Sequence, residues 1–146
     1  MSKKVIGYTA GVYDLFHVGH LNILKKAKEN CDELIVAVST DELVEKYKSK
    51  KTFIPYEERA EILSHINFVD RVVPQETMDK MEAWKKYRFD IMFVGDDWKG
   101  TDKWNEIEDE FKKVGVEIVY FPYTKCTSSS KIRKLIDNNL KIKTYR

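Results

Sequence analysis

Two histidines separated by a valine and a glycine, His17-Val18-Gly19-His20, are the residues of this chain best suited to chemistry. They follow Gly11-Val12-Tyr13-Asp14 and stand between an apolar run, Val5-Ile6-Gly7-Tyr8, and the helix-like spacing of Leu21, Ile23, Leu24 and Ala27. That pattern describes a strand that ends, turns at glycine and passes into a helix. The first amides of a helix have no intrahelical partner and carry the positive end of its dipole, so such a junction attracts an anion. Imidazoles three residues apart share one side of the first turn and can offer ring N–H donors to a phosphate. Either histidine alone would read as a cap or a packed ring. Zinc would need further ligands that the neighbourhood does not supply, and Gly11 and Gly19 lack the G-x-G-x-x-G spacing of a dinucleotide fingerprint. A phosphate-directed pair is the reading that remains.

Three other stretches carry groups of the same kind. Gly95-Asp96-Asp97-Trp98 follows an apolar strand directly, and the carboxyl ends of strands are where open α/β sheets keep their ligands. Thr127-Ser128-Ser129-Ser130 opens the last helical pattern; Ser or Thr before a helix is ordinarily a cap, but hydroxyls and free amides at a second positive helix end also suit a phosphate. Lys48-Ser49-Lys50-Lys51 is too charged for a core and would ordinarily be a solvated loop. Beside a phosphate crevice it would offset the repulsion between two anionic reactants.

The elements that must position these groups alternate along the chain. Glu33 to Ser39 is a nearly continuous apolar run, as in a parallel strand covered on both faces. Asp41 to Tyr47 reads as a short helix, Pro55 opens another with Ala60, Ile62, Leu63 and Ile66 as its buried stripe, and Val69 to Val73 is a third strand ended by Pro74. Met78, Met81 and Trp84 mark a core-facing helical stripe, Asp90 to Val94 a fourth strand, Trp104 to Val114 a helix closed by Gly115, and Val116 to Phe121 a fifth strand. Repeated β-α units without low-complexity linkers imply an α/β fold with a doubly wound parallel sheet.

Length and charge bound the rest. The chain's 146 residues, 42% of them hydrophobic, suit one domain, expected over 1–140 with a basic tail at 141–146. A formal net charge of +2 and the absence of a recognisable reader motif argue against a nucleic-acid partner. No apolar run approaches the ~20 residues of a membrane span, and the N-terminus has no signal-peptide core, so a cytoplasmic location is expected. Cys31 and Cys126 match no metal or redox spacing and are expected to be reduced thiols.

With these motifs in view, the chain resembles the H-x-G-H nucleotidyltransferase superfamily, and within it the cytidylyltransferase family that acts on glycerol 3-phosphate. Tyr8 through Asp41, Tyr56-Glu57-Glu58-Arg59, Gly95-Asp96-Asp97-Trp98 and Thr124 through Ile132 carry the resemblance, in the same order over nearly the whole chain. It implies a Rossmann-like five-stranded sheet of order 3-2-1-4-5, in which the first and fourth strand tips meet. It implies nucleotide contacts from Gly11, Val12, Tyr13, Asp14, His17, Gly19 and His20, with the histidines steadying phosphates and Lys50 joining them. Lys48 and Lys80 would reach the phosphate of the acceptor, Asp97 would sit by the base or ribose, and Thr124, Ser128, Ser129 and Ser130 would face the phosphates. Arg59 would either reach into the site or orient the lysine loop. The reaction implied joins CTP to a small phosphorylated alcohol, glycerol 3-phosphate first, with magnesium on the triphosphate and no protein metal ligand, in a homodimer. Another acceptor (phosphocholine, phosphoethanolamine or a sugar phosphate), or ATP as donor, is the alternative within the enzyme class, and a nucleotide-binding regulatory module the alternative outside it. The chain departs from the family pattern at Tyr123, where an arginine is usual, at Val12 for threonine and at Asn67 for arginine.

Overall fold

One inner strand explains the layering. In the computed structural model, which describes residues 3–96, 99–122 and 129–144, β2 (Glu33–Ser39) buries six consecutive residues from Leu34 to Ser39. Leu34, Val36 and Val38 belong to one apolar cluster with Leu24, Ala27, Leu63 and Phe93; Ile35 and Ala37 belong to another with Tyr8, Met92, Trp104 and Phe111. Successive side chains of a strand point to opposite faces, so an unbroken apolar run is what two covered faces require.

Around β2 the sheet takes the order β3-β2-β1-β4-β5, parallel throughout. Its other strands are β1 (Ile6–Gly11), β3 (Arg71–Gln75), β4 (Ile91–Gly95) and β5 (Glu117–Phe121). This is the α/β Rossmann-like arrangement implied above, and it sets β1 beside β4, with Tyr8 opposite Met92 and Thr9 opposite Phe93. The Thr9 hydroxyl donates to the Phe93 carbonyl at 3.1 Å and ties the two strands together near their tips.

The helices are α1 (Val18–Glu29), α2 (Asp41–Lys48), α3 (Tyr56–Ser64), α4 (Lys80–Tyr87), α5 (Asp102–Lys113) and α6 (Ser129–Thr144). Leu24 and Ala27 of α1 and Leu63 of α3 fill one face of the sheet, and Trp104 and Phe111 of α5 fill the other, with Met81, Trp84 and Tyr87 of α4 packed against them. Thr40, Asp79 and Thr101 each accept a backbone N–H and cap α2, α4 and α5.

Several local expectations shift. Strand β1 continues to Gly11, so the turn begins after the glycine. Pro55 is the cap of α3 and Tyr56 its first residue. Pro74 lies inside β3 and does not end it; an edge strand tolerates a residue without an N–H, and β3 pairs only with β2. Met78 is 37% exposed ahead of α4, so the core-facing stripe there consists of the partly buried Met81, Trp84 and Tyr87.

Gly7 is the tightest point between β1 and the α1 layer. A Cβ built there would meet the Phe93 ring at 2.6 Å and Cys31 Sγ at 2.7 Å. Gly7→Ala is therefore expected to lower stability by roughly 1–3 kcal/mol, the usual cost of overpacking a filled core, read by urea denaturation with an unchanged m-value.

Candidate active site

The histidine turn is built by the histidines themselves. His17 is the N-cap of α1, with extended backbone at φ −145° and ψ 178°. Its Nδ1 accepts the Gly19 N–H at 3.0 Å, while the His17 N–H donates to His20 Nδ1 at 3.3 Å. This is the reciprocal capping arrangement usually made by Ser or Thr with Glu or Gln, here made by two imidazoles. Because each Nδ1 accepts, each neutral ring carries its proton on Nε2. Neither Nε2–H has a protein partner among the described residues, so both remain available to an incoming acceptor.

The rings stack with centroids 4.0 Å apart, and His20 is further packed by Phe16 at 5.3 Å and by the edge of Tyr13 at 5.4 Å. Burial lowers the pKa of both imidazoles. For His20 burial and the neighbouring His17 outweigh the opposing pull of Asp14 and bring it to about 4. The pair therefore acts at neutral pH as two uncharged donors. Tyr13 and Leu15 hold the turn in left-handed conformations, with φ 56° and 52°, which side-chain-bearing residues adopt only when their surroundings enforce it. The Tyr13 ring lies so close over Gly11 that a Cβ there would meet it at 3.0 Å.

Arg59 enforces the surroundings. Its side chain is fully buried, Nε donates to the Ile54 carbonyl at 2.8 Å, and Nη1 donates to the carbonyls of Val12 at 2.6 Å and Ser39 at 2.9 Å. Nη2 pairs with Asp41 Oδ1 at 2.6 Å. One guanidinium thus fixes the start of the histidine turn, the tip of β2, the head of α2 and the approach to α3. Of the two roles weighed for Arg59, this geometry favours the orienting one, since all of these donors are turned inward. Burial tends to raise the Asp41 carboxyl, but the Tyr56 N–H, Arg59 and the Thr52 hydroxyl outweigh it and hold its pKa below the usual range.

Asp14 is also turned inward. It is 4% exposed, and its carboxylate accepts the N–H groups of Phe53 at 2.9 Å and Ile54 at 3.0 Å. It therefore binds the histidine turn to the segment that follows the lysine loop. Lys48 is the last residue of α2, Ser49 ends that helix in a left-handed conformation, and Lys48 and Lys50 are exposed. Loss of hydration lowers the Lys48 ammonium pKa, and the positive charges of Arg133 and Lys50 lower it further.

Gly11, Val12, Tyr13, Asp14, His17, Gly19 and His20 lie along one turn, which Arg59 bonds at Val12 and which Asp14 joins to the segment that follows Lys48 and Lys50. Lys80 is the first residue of α4, where burial and then the charge of Lys103 bring its pKa to about 8. Ser129 and Ser130 are the first residues of α6. Asp97, Thr124 and Ser128 lie outside the described residues. Asp41, Phe53 and Arg133 are parts of the site that the sequence did not single out. The one hint was Asp41 directly after a strand, a position that reads equally well as a helix start.

A family model described as cytidylyltransferase-like matches residues 8–135, a span holding both the histidine turn and Arg133. The chain belongs to the cytidylyltransferase-like family. It is 39% identical to a glycerol-3-phosphate cytidylyltransferase of Bacillus subtilis (strain 168) over 135 residues, covering 92% of this chain and 97% of that one. It is also 36% identical to an FAD synthase of Pyrococcus abyssi (strain GE5 / Orsay) over 138 residues, covering 92% of each. A solved structure of a lipopolysaccharide core biosynthesis protein from Thermoplasma volcanium GSS1 superposes with a TM-score of 0.70 at 26% identity, covering 86% of this chain and all of that one. This cytidylyltransferase-like chain is accordingly a nucleotidyltransferase.

An imidazole that holds its proton less tightly in the folded chain than in the unfolded one makes stability fall as the unfolded form takes up protons. With His20 near 4 when folded and 6.5 ordinarily, stability should decline as pH falls from about 6.5 towards about 4. His20→Gln, which keeps an acceptor for the His17 N–H but does not titrate, should flatten that decline in urea unfolding at pH 7.5 and 4.5.

Proposed function

We propose that this enzyme joins CTP to a small phosphorylated alcohol, with glycerol 3-phosphate as the first choice, to give a CDP-alcohol and pyrophosphate. The observation that carries the reading is the imidazole capping box: two neutral Nε2–H donors lie together at the head of α1, just after β1, and Asp14 of the same turn bonds the segment that follows Lys48 and Lys50. Similarity to glycerol-3-phosphate cytidylyltransferases at 38–40% identity over 133–135 residues supports the choice of reactants.

In this reading an oxygen of the acceptor's phosphate attacks the α-phosphorus of CTP in line. A new P–O–P bond forms as the bond to the β,γ-pyrophosphate breaks, and pyrophosphate leaves with the bridging oxygen. A phosphate monoester is already anionic near neutral pH, so no base is needed to prepare it. The protein's task is to position the reactants and stabilise charge, as in phosphoryl transfer generally. His17 and His20 donate to the phosphates as charge moves towards the leaving group, and Lys50 offsets that charge. Lys48 and Lys80 receive the acceptor's phosphate, whose negative charge would favour the ammonium form of both. The backbone of Gly11 to Asp14 and Gly19 lines the nucleotide, Asp97 lies by the base or ribose, and Thr124, Ser128, Ser129 and Ser130 serve the phosphates. Arg59 acts as a positioning residue.

Magnesium would be held mainly by the triphosphate's own oxygens, with few protein ligands. Bound there, it would neutralise phosphate charge. A homodimer working in the cytoplasm, without a nucleic-acid partner, completes the proposal; among the described residues no helix is long and apolar enough to cross a membrane. A second reading, with ATP as donor, is favoured by the similarity to FAD synthases, whose named product contains an adenylyl group.

Pyrophosphate release measured for CTP and ATP against glycerol 3-phosphate, phosphocholine, phosphoethanolamine and a sugar phosphate tests the proposal. CTP with glycerol 3-phosphate should be fastest; a faster ATP reaction overturns the donor, and CTP binding without turnover on any acceptor leaves a regulatory module. His17→Asn separates the two jobs of that residue, because asparagine is a good N-cap but lacks the Nε2–H. Thermal stability should be nearly unchanged while kcat falls roughly 10²- to 10³-fold, the scale of one lost transition-state donor.

A further inference from the structure

Arg133 in α6 is 119 residues from Asp14 in the chain, yet its Nη2 donates to Asp14 Oδ2 at 2.6 Å. The same guanidinium lies over the Phe53 ring at 4.4 Å, and its Nη1 donates to the Lys51 carbonyl at 3.3 Å. Asp14 in turn accepts the N–H groups of Phe53 and Ile54. The segment at 51–54 is therefore gripped from two sides: a buried carboxylate fixed in the histidine turn holds its amides, and a guanidinium from the last helix holds a carbonyl and covers a ring that is 41% exposed.

We propose that Arg133 is a positioning residue that straps the lysine loop to the histidine turn, so that Lys48 and Lys50 are presented beside His17 and His20. The proposal rests on the reading of Lys48 and Lys50 as phosphate ligands. Arg133 and Lys50 both place positive charge near Lys48, so the guanidinium can stay at the loop only if an anion holds it there. Asp14 changes that balance. Its charge is spent on Arg133 and two amides, which anchors the loop and leaves the two lysines as uncompensated positive charge for a polyanion. Lysine could not replace Arg133 in full, since a compact ammonium lacks the planar fork that bonds a carboxylate and a carbonyl while stacking on a ring.

The loop contains the bonds that trypsin cuts, so its opening can be read without reference to turnover. The full chain is digested briefly and cleavage after Lys48, Lys50 and Lys51 is followed by mass spectrometry, with cleavage after Lys112 and Lys113 as the internal reference. Thermal melting and steady-state kinetics are measured on the same preparations. Arg133→Gln should cleave in the loop roughly tenfold faster, as local opening becomes more populated, with reference sites and melting temperature little changed. Arg133→Lys should fall between it and the parent, and where Arg133→Gln does not fold, Arg133→Lys and Phe53→Ala carry the test. In the kinetics, KM for the nucleotide should rise more than kcat falls. Equal loop cleavage in parent and variants overturns the proposal, as does faster cleavage at every site in proportion to lost thermal stability. An inactive parent with a strap-dependent loop would sink the proposed reaction alone.

Discussion

A single buried cation organises the carboxyl end of this sheet. Arg59 has no access to water, and a guanidinium taken out of water is stable only when its N–H groups meet acceptors in the right places. It meets them in three separate segments: the Val12 carbonyl, the Ser39 carbonyl with the Asp41 carboxylate, and the Ile54 carbonyl. Because the fork is planar and rigid, those segments cannot move independently. The positive φ at Tyr13 and Leu15, the capped start of α2 and the approach of 51–54 all lie close to this one group.

The site assembled on that anchor separates fixed parts from chargeable ones. Asp14 is a candidate for nucleotide contact in the sequence and Asp41 is not, yet the carboxylates of both accept from protein donors, Asp14 nearly without exposure. The polar groups left over are neutral imidazole donors, helix amides and exposed lysines, a set that suits an anion. Catalysis of this kind asks little covalent chemistry of the protein and much preorganisation, and the inward-facing carboxylates and arginine supply that preorganisation here.

Much of the fold was legible because burial has a period. The unbroken run from Leu34 to Val38 could only be a strand covered on both sides, and Leu24 with Ala27 marked the inner face of the first helix. Strand order was not written in that pattern; it came from the resemblance carried by the histidine and serine motifs, and the structure agrees. The histidines were legible as a pair, but not their mutual capping, because an imidazole taking the place of a capping hydroxyl depends on a backbone conformation that periodicity does not report. Arg133 was illegible for a simpler reason. On its own helix it is one basic residue among several, and only the tertiary fold brings it to an aspartate 119 positions earlier. Met78 illustrates the opposite error, where helical spacing suggested burial two residues before the helix begins.

Pro74 has a consequence for how copies of this enzyme can meet. It sits in β3, the outer strand on one side of the sheet, and contributes no donor to whatever approaches that border. A neighbouring chain cannot extend the ladder there with an uninterrupted row of hydrogen bonds. Edge-to-edge pairing of sheets along this border is disfavoured by that gap.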